Sequence, residues 1–173
     1  MNGCFWDLPW GRQRRTHMSG ITGAVVNDWS LSGVLTLQSG VPIAVTQATN
    51  NNAFAGFGTQ RPNLIADPGL PADQRSTARW FDTSAFATAP QFTIGTSSRD
   101  PVRGPGYRNL DVALMRRVPM GGNRSLEIRG EVFNLTNTPP LGAPNGVFGS
   151  AAFGTITTAA DPRVVQLALK FAF

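Results

Sequence analysis

The sequence predicts an all-β protein, an antiparallel meander of about five long strands of the transmembrane type. Three observations predict it: apolar residues recur at every second position, prolines stand outside the four clearest alternating segments, and long and short connections alternate along the chain. Proline removes a ladder donor, so its absence from the four clearest segments supports them as strands. The five candidate strands cover residues 3–10, 29–38, 108–118, 124–133 and 163–173.

The composition excludes several other classes. Only 14% of the 173 residues are charged, against about 25% in a usual soluble domain, and Gly and Pro are plentiful at 19 and 13. This composition argues against a coiled coil, a helical bundle or an acidic disordered tail, and no apolar run approaches the roughly 20 residues of a membrane-spanning helix. One cysteine, Cys4, and one histidine, His17, leave little material for a disulfide, a metal site or a histidine triad. We therefore expect no cofactor and no enzyme activity.

The net charge of +5 comes from 14 arginines and Lys170 against 10 acidic residues. Nucleic-acid binding needs clustered cations, commonly with aromatic residues that stack on bases. The main cluster is residues 11–15, and the other arginines are scattered. The sequence predicts no nucleic-acid partner.

The first two strands have one apolar face each. Residues 3–10 alternate weakly, whereas 29–38 alternate through the whole segment. The apolar positions are Cys4, Trp6, Leu8 and Trp10 in the first strand, and Trp29, Leu31, Leu35 and Leu37 in the second.

The connection at 39–107 is polar and flexible in composition, and it contains several aromatic residues. These rings are candidate ligand contacts in a loop that faces outward. The interpretation that we favour is that they hold a large loop to itself or to the rim of a barrel. The candidate ligand-facing residues are Phe57, Trp80, Phe81 and Phe86.

The next two strands, 108–118 and 124–133, are joined by a short turn with two glycines. Each strand has an apolar face. Arg116 interrupts the apolar face of 108–118 close to the turn, where its long side chain can reach an interface. The last strand, 163–173, continues the alternation, and 134–162 is a second long connection. The polar residues predicted to face a hydrated lumen are Asp111, Glu127, Arg129, Glu131, Gln166 and Lys170.

The carboxylates Glu127 and Glu131 flank Arg129 on the same face of one strand. An ion-paired ladder in a lumen accounts for this spacing better than an acid/base pair does.

Long connections at one end and short turns at the other are typical of an outer-membrane β-barrel. A strand of about 10 residues tilted by about 45° rises roughly 23 Å, close to the apolar band of about 25 Å on such barrels. The alternation also fits a soluble, secreted β-sandwich that acts as a binding or adhesion module. The barrel and the sandwich differ in what covers the apolar face of the strands. A sandwich buries this face against a second sheet of the same chain, whereas a barrel exposes it to lipid.

Several ordered motifs resemble one family, TonB-dependent outer-membrane receptors. The closest likeness is to large Oar-like receptors with a carboxypeptidase-regulatory-like N-terminal domain, abundant in Acidobacteria. The motifs are 29–42 (WSLSGVLTLQSGVP), 61–63 (RPN), 80–86 (WFDTSAF), 103–106 (RGPG), 109–111 (NLD), 129–137 (RGEVFNLTN), 153–156 (FGTI) and the final Phe173.

The resemblance implies the C-terminal part of a 22-stranded barrel in the outer membrane, which encloses a plug and imports a scarce nutrient. Its implied partners are outer-membrane lipid, the remainder of the barrel and plug, the barrel-assembly machinery, and the TonB complex through the plug. Phe171 and Phe173 match the C-terminal aromatic signal that the assembly machinery reads. We find no plug, TonB box or signal peptide in the sequence, so energy coupling does not carry over to this chain.

Overall fold

A computed structural model describes residues 2–10, 19–51, 56 and 58–173. The basic cluster at 11–15, His17 and the candidate contact Phe57 lie outside the described residues. In chain order the elements are β1 (Asn2–Asp7), α1 (Gly20–Val26), β2 (Trp29–Gln38), β3 (Pro42–Ile43), β4 (Thr46–Gln47), β5 (Asn63–Leu64), 3-10 helices at Ala72–Gln74 and Thr83–Ala85, β6 (Phe86–Ala87), β7 (Val102–Arg103), β8 (Tyr107–Pro119), β9 (Ser125–Phe133), β10 (Val147–Phe148) and β11 (Val164–Ala172).

The chain divides into two compact units. The sheet unit comprises Met1–Gln38, Arg108–Pro139 and Asp161–Phe173, and the loop unit comprises Ser39–Tyr107 and Pro140–Ala160.

The sheet unit contains one five-stranded sheet in the order β1-β2-β8-β9-β11. Because β1 pairs antiparallel with β2, and β9 pairs antiparallel with both β8 and β11, neighbours in the sheet follow one another as a meander of long strands. The predicted all-β fold class is confirmed. No helix among the described residues is long and apolar enough to span a membrane.

The observed strands differ from the predicted ones mainly at the first. β1 ends at Asp7 rather than at residue 10, and Pro9, which lacks an N–H group, follows closely. Leu8 still donates to the carbonyl of Trp29 at 3.1 Å. The short helix α1, which the alternation did not predict, follows before β2 begins at the predicted residue, Trp29.

The turn between β8 and β9 is a tight hairpin. Met120 donates its N–H to the carbonyl of Arg124 at 3.0 Å. Gly121 and Gly122 have φ values of 86° and 58°, a left-handed conformation that glycine adopts without steric cost.

The loop unit is folded, although its composition led us to expect flexible loops. Three pairs of short strands form within it, β3 with β7, β5 with β6, and β4 with β10. It also has a hydrophobic core, because its apolar residues converge from both long connections. The buried core residues are Ile43, Val45, Phe81, Ala85, Phe86 and Val102, with Leu64, Trp80, Phe148 and Phe153 packed against them.

The motifs 29–42 and 103–106 meet in the loop unit through Gly40 and Gly104. Gly104 donates its N–H to the carbonyl of Val41 at 2.8 Å, and Arg103 donates from Nη1 to the carbonyl of Gly40 at 3.3 Å. A Cβ atom on Gly40 would collide with the backbone carbonyl of Gly104. This close approach of two backbones requires glycine at position 40.

Candidate functional site: the two faces of the sheet

Strand register determines which side chains share a face of the sheet. Gln166 lies opposite Glu131, and Lys170 lies opposite Glu127. Directly opposite residues project to the same side of an antiparallel pair, and β8 places Arg117 opposite Glu127. We call this side the polar face. Its polar residues are Asp111, Arg117, Glu127, Arg129, Glu131, Gln166 and Lys170.

All six residues predicted to line a lumen thus fall on one face. Arg117 belongs to the same face, and the alternation of β8 already assigned it there, although the predicted set omitted it. A concave region of about 250 Å³ on this face is lined by Ser32, Val34, Asp111, Ala113, Arg129, Glu131 and neighbouring residues.

Arg129 and Glu131 form an ion pair on the polar face. Arg129 Nη2 lies 2.6 Å from Glu131 Oε1, with both side chains partly exposed. Glu127 stands between two cations in the register, Arg117 on β8 and Lys170 on β11. The carboxylates are therefore balanced by basic residues, which is the arrangement expected of an ion-paired ladder.

Asp111 has a structural contact that the sequence did not indicate. Its carboxylate accepts the N–H of Asn134 at 2.9 Å and the Nδ2–H of Asn109 at 2.9 Å. Asn134 is buried in a left-handed conformation (φ 53°), and its Oδ1 accepts the N–H of Thr138 at 3.0 Å. Asp111 thereby fixes the chain where it leaves β9.

A second asparagine completes this turn. Asn137, also left-handed at φ 52°, accepts the N–H of Arg163 through its Oδ1 at 3.1 Å. The motifs 109–111 and 129–137 therefore meet at this end of the sheet. Asparagine tolerates the left-handed region because its side chain bonds locally, and this is the signal that sequence reasoning could have used.

The opposite side, the apolar face, is exposed. Leu167 is 82% exposed on β11, although a soluble sheet would cover such a side chain. The cross-strand rows of this face are Val112–Val132–Val165, Leu114–Gly130–Leu167, Arg116–Ile128–Leu169 and Val118–Leu126–Phe171.

Aromatic residues of the apolar face gather at one end of the sheet. Trp29 begins β2, Trp6 pairs with Leu31 near that point, and Phe171 lies near the end of β11. In an antiparallel meander these positions share one end. Aromatic rings that border an apolar band are typical of a membrane–water interface.

Phe171 and Phe173, the predicted assembly signal, stack on one another. Their ring centroids are 6.1 Å apart with an interplanar angle of 28°, and both rings are exposed.

The aromatic residues of the loop unit are mostly in its core. Phe81 is 1% exposed and packs edge-on against Phe86 and Phe153, with ring centroids 5.9 and 5.1 Å away. Trp80 donates its Nε1–H to the carbonyl of Arg103 at 2.8 Å. This packing agrees with the interpretation that the rings hold the segment together. Phe92, by contrast, is 75% exposed.

Asp82 in the loop unit accepts several hydrogen bonds. The Ser84 hydroxyl at 2.8 Å, the Arg79 guanidinium at 2.7 Å and the Ser84 N–H at 3.2 Å stabilise its carboxylate. These bonds lower the pKa of Asp82 below its usual value of 3.8, with Ser84 the largest cause. Among the described residues, no three His, Cys, Asp or Glu side chains come together as a metal site.

Comparison with known proteins gave one family match. A family model described as an outer membrane beta barrel domain matches residues 2–166. Neither the curated proteins nor the solved structures contain a match to the chain.

Proposed function

Because the chain belongs to the family of outer membrane beta barrel domains, we propose that it forms wall and outer loops of a TonB-dependent transporter for nutrient uptake. Its apolar face contacts lipid, its polar face lines a hydrated lumen, and the loop unit connects strands at the outer side. It performs no catalysis itself. Its partners are outer-membrane lipid, the rest of the barrel and plug, and the barrel-assembly machinery.

The observation that carries this proposal is the separation of the faces in register. Polar residues of β8, β9 and β11 align on one side, while the other side is apolar in nearly every row. A transmembrane barrel needs this arrangement, because a basic side chain on the lipid face near mid-membrane costs about 2–4 kcal/mol. The soluble β-sandwich is not favoured, since Val165, Leu167 and Leu169 remain exposed.

Two neighbouring residues on β11 provide a matched test. We would place a single cysteine at Gln166 or at Leu167 in a Cys4→Ser background, attach an environment-sensitive dye, and reconstitute each chain together with the rest of its barrel in phosphatidylcholine vesicles. We expect brominated lipid to quench the dye at 167 and aqueous iodide to quench the dye at 166. Equal iodide quenching at both positions would contradict a membrane wall.

The transport part of the proposal has a genetic test that needs no knowledge of the ligand. Deleting the chain's gene and removing TonB should each impair growth on the transported nutrient. We expect the double mutant to grow no worse than the strain without TonB across a panel of limiting nutrients. Additive growth defects would argue against TonB-dependent uptake. They would not contradict the proposal that the sheet forms a membrane wall.

A further inference from the structure

Arg116 occupies an unusual place on the apolar face. In the four described rows of this face that run from Val112 to Val118, it is the one charged side chain. Its guanidinium lies over the ring of Trp29, with Cζ 5.7 Å from the ring centroid. Trp29 is itself held in place, because its Nε1–H donates to the carbonyl of Val25 at 2.7 Å. The cation therefore has a defined position at the aromatic end of the sheet.

A groove adjoins this cation. Gly130 has no side chain, and it lies between Leu114 and Leu167 in its row. The gap forms part of an open apolar groove of about 510 Å³, lined mainly by Trp29, Leu114, Ile128, Gly130, Leu167 and Leu169. Ile128, which lines the groove, lies directly opposite Arg116, and Gly130 lies in the next row of the same face. Trp29 contacts both.

We propose that Arg116 and the Gly130 groove together bind a membrane phospholipid with an anionic headgroup. The headgroup phosphate binds the guanidinium of Arg116, and one acyl chain lies along the groove. This inference rests on the proposed function, in which the apolar face meets lipid.

Charge and geometry select this occupant. A guanidinium presents several N–H donors in a planar fork that matches the oxygens of a phosphate. A cation on a lipid-facing surface costs about 2–4 kcal/mol at mid-membrane and about 0–1 kcal/mol near the interface. A phosphate ligand lowers this cost further, and the adjoining groove suits a hydrocarbon chain rather than a polar molecule.

The charge is tested by native mass spectrometry of the full chain in maltoside micelles, which contain no phosphate. Palmitoyl-oleoyl-phosphatidylglycerol is titrated into the wild type, Arg116→Gln and Arg108→Gln. Arg108 lies near the other end of the same strand and is the matched control. We expect Arg116→Gln to bind the lipid about tenfold more weakly, the loss of one charge-assisted contact of about 1.4 kcal/mol, and Arg108→Gln to bind like the wild type.

The groove is tested separately. A Cβ atom on Gly130 would meet Leu167 Cδ2 at 3.4 Å, so Gly130→Val fills the groove and keeps the charge. We expect Gly130→Val to weaken phosphatidylglycerol binding several-fold. The ability of glycerol 3-phosphate to compete with the lipid should stay as it is in the wild type. If inorganic phosphate or glycerol 3-phosphate displaced the lipid at equal concentration, the site would be a phosphate site and the lipid assignment would be wrong.

Two further measurements keep the outcomes distinct. Arg116→Lys retains the charge without the fork, so it should bind with intermediate affinity, and circular dichroism checks that each variant keeps its strands. Equal lipid binding by the wild type and Arg116→Gln would overturn the lipid site. The membrane wall would still be supported if brominated lipid quenched the dye at 167 and iodide quenched the dye at 166. Loss of that dye pattern would contradict the proposed function itself.

Discussion

The loop unit and the sheet unit place similar apolar side chains in opposite environments. Phe81 of the loop unit is 1% exposed, whereas Leu167 of the sheet unit is 82% exposed. Among the described residues, the large hydrophobic side chains that are buried all belong to the loop unit. The loop unit is thus built like a water-soluble domain, with the hydrophobic effect supporting its own core.

The sheet unit follows another rule. Neighbouring strands satisfy one another's backbone groups by β-pairing, with β1 and β11 at the two edges of the sheet. Among the described residues, apolar side chains of the apolar face such as Leu167 and Leu169 are exposed. Such a face is stable where the solvent is hydrocarbon and unstable in water. The contrast indicates that one chain is adapted to two solvents.

The largest effect is expected from truncating the core of the loop unit. Phe81→Ala removes a ring that packs on Phe86 and Phe153, so it should destabilise this unit by about 3–5 kcal/mol. Hydrogen exchange followed by mass spectrometry should show faster exchange in residues 58–107. Leu167→Ala is the control, and in detergent it should leave that exchange unchanged. Equal effects of the two variants would remove the distinction between the units.

The second-largest effect tests whether the apolar face of the sheet contacts lipid. Leu167→Lys places a charge in the central part of the apolar face, so it should lower the stability of the membrane-folded state by about 2–4 kcal/mol. Gln166→Lys, one residue away on the polar face, should cost much less. The folded fraction of the whole barrel in vesicles, measured across a urea series, compares the two variants. A similar loss for both variants would mean that the apolar face does not contact lipid.

A third prediction concerns backbone packing in the loop unit. Gly40→Ala forces a methyl group against the carbonyl of Gly104, and overpacking of this kind costs about 1–3 kcal/mol. Gly58→Ala is the control, because a Cβ atom there meets nothing within 4 Å. Protease resistance of the loop unit should fall for the first variant alone. Unchanged protease resistance of the Gly40→Ala variant would mean that the motifs 29–42 and 103–106 do not depend on this contact.

Alternation was enough to predict the five long strands and the face of each side chain, because a period of two is a property of the single strand. It predicted that Arg129 and Glu131 share a face, and their ion pair follows from that. It did not predict the fold of the loop unit, whose core joins Val45 to Phe153 across more than 100 residues.

Contacts of this range leave no local period in the sequence. The role of Asp111 was missed for the same reason, because its partner Asn134 lies on another strand end. The aromatic residues of the loop unit were recognised as a group, but composition alone did not separate the buried Phe81 from the exposed Phe92.

The smallest effect that we predict is the acid sensitivity of the loop unit. The pKa of Asp82 is lowered in the folded chain, chiefly by the Ser84 hydroxyl and then by Arg79. A lowered folded pKa means that the unfolded chain binds the proton more readily. The stabilisation is therefore present above the ordinary value of 3.8 and is lost as the pH falls through the folded pKa below it. Because Asp82 is at the surface, solvent screening keeps the effect small.

Asp82→Asn should remove this part of the pH dependence. Unfolding of the loop unit, followed by hydrogen exchange at a series of pH values below 5, should differ between wild type and variant at the upper values and converge at the lowest. Asp73→Asn is the matched control, an exposed carboxylate in the same unit. The wild type and the Asp82→Asn variant could instead lose the same stability of the loop unit in acid. That result would show that the hydrogen bonds from Ser84 and Arg79 do not stabilise the turn. The acid response of the chain would then have to arise in the sheet unit.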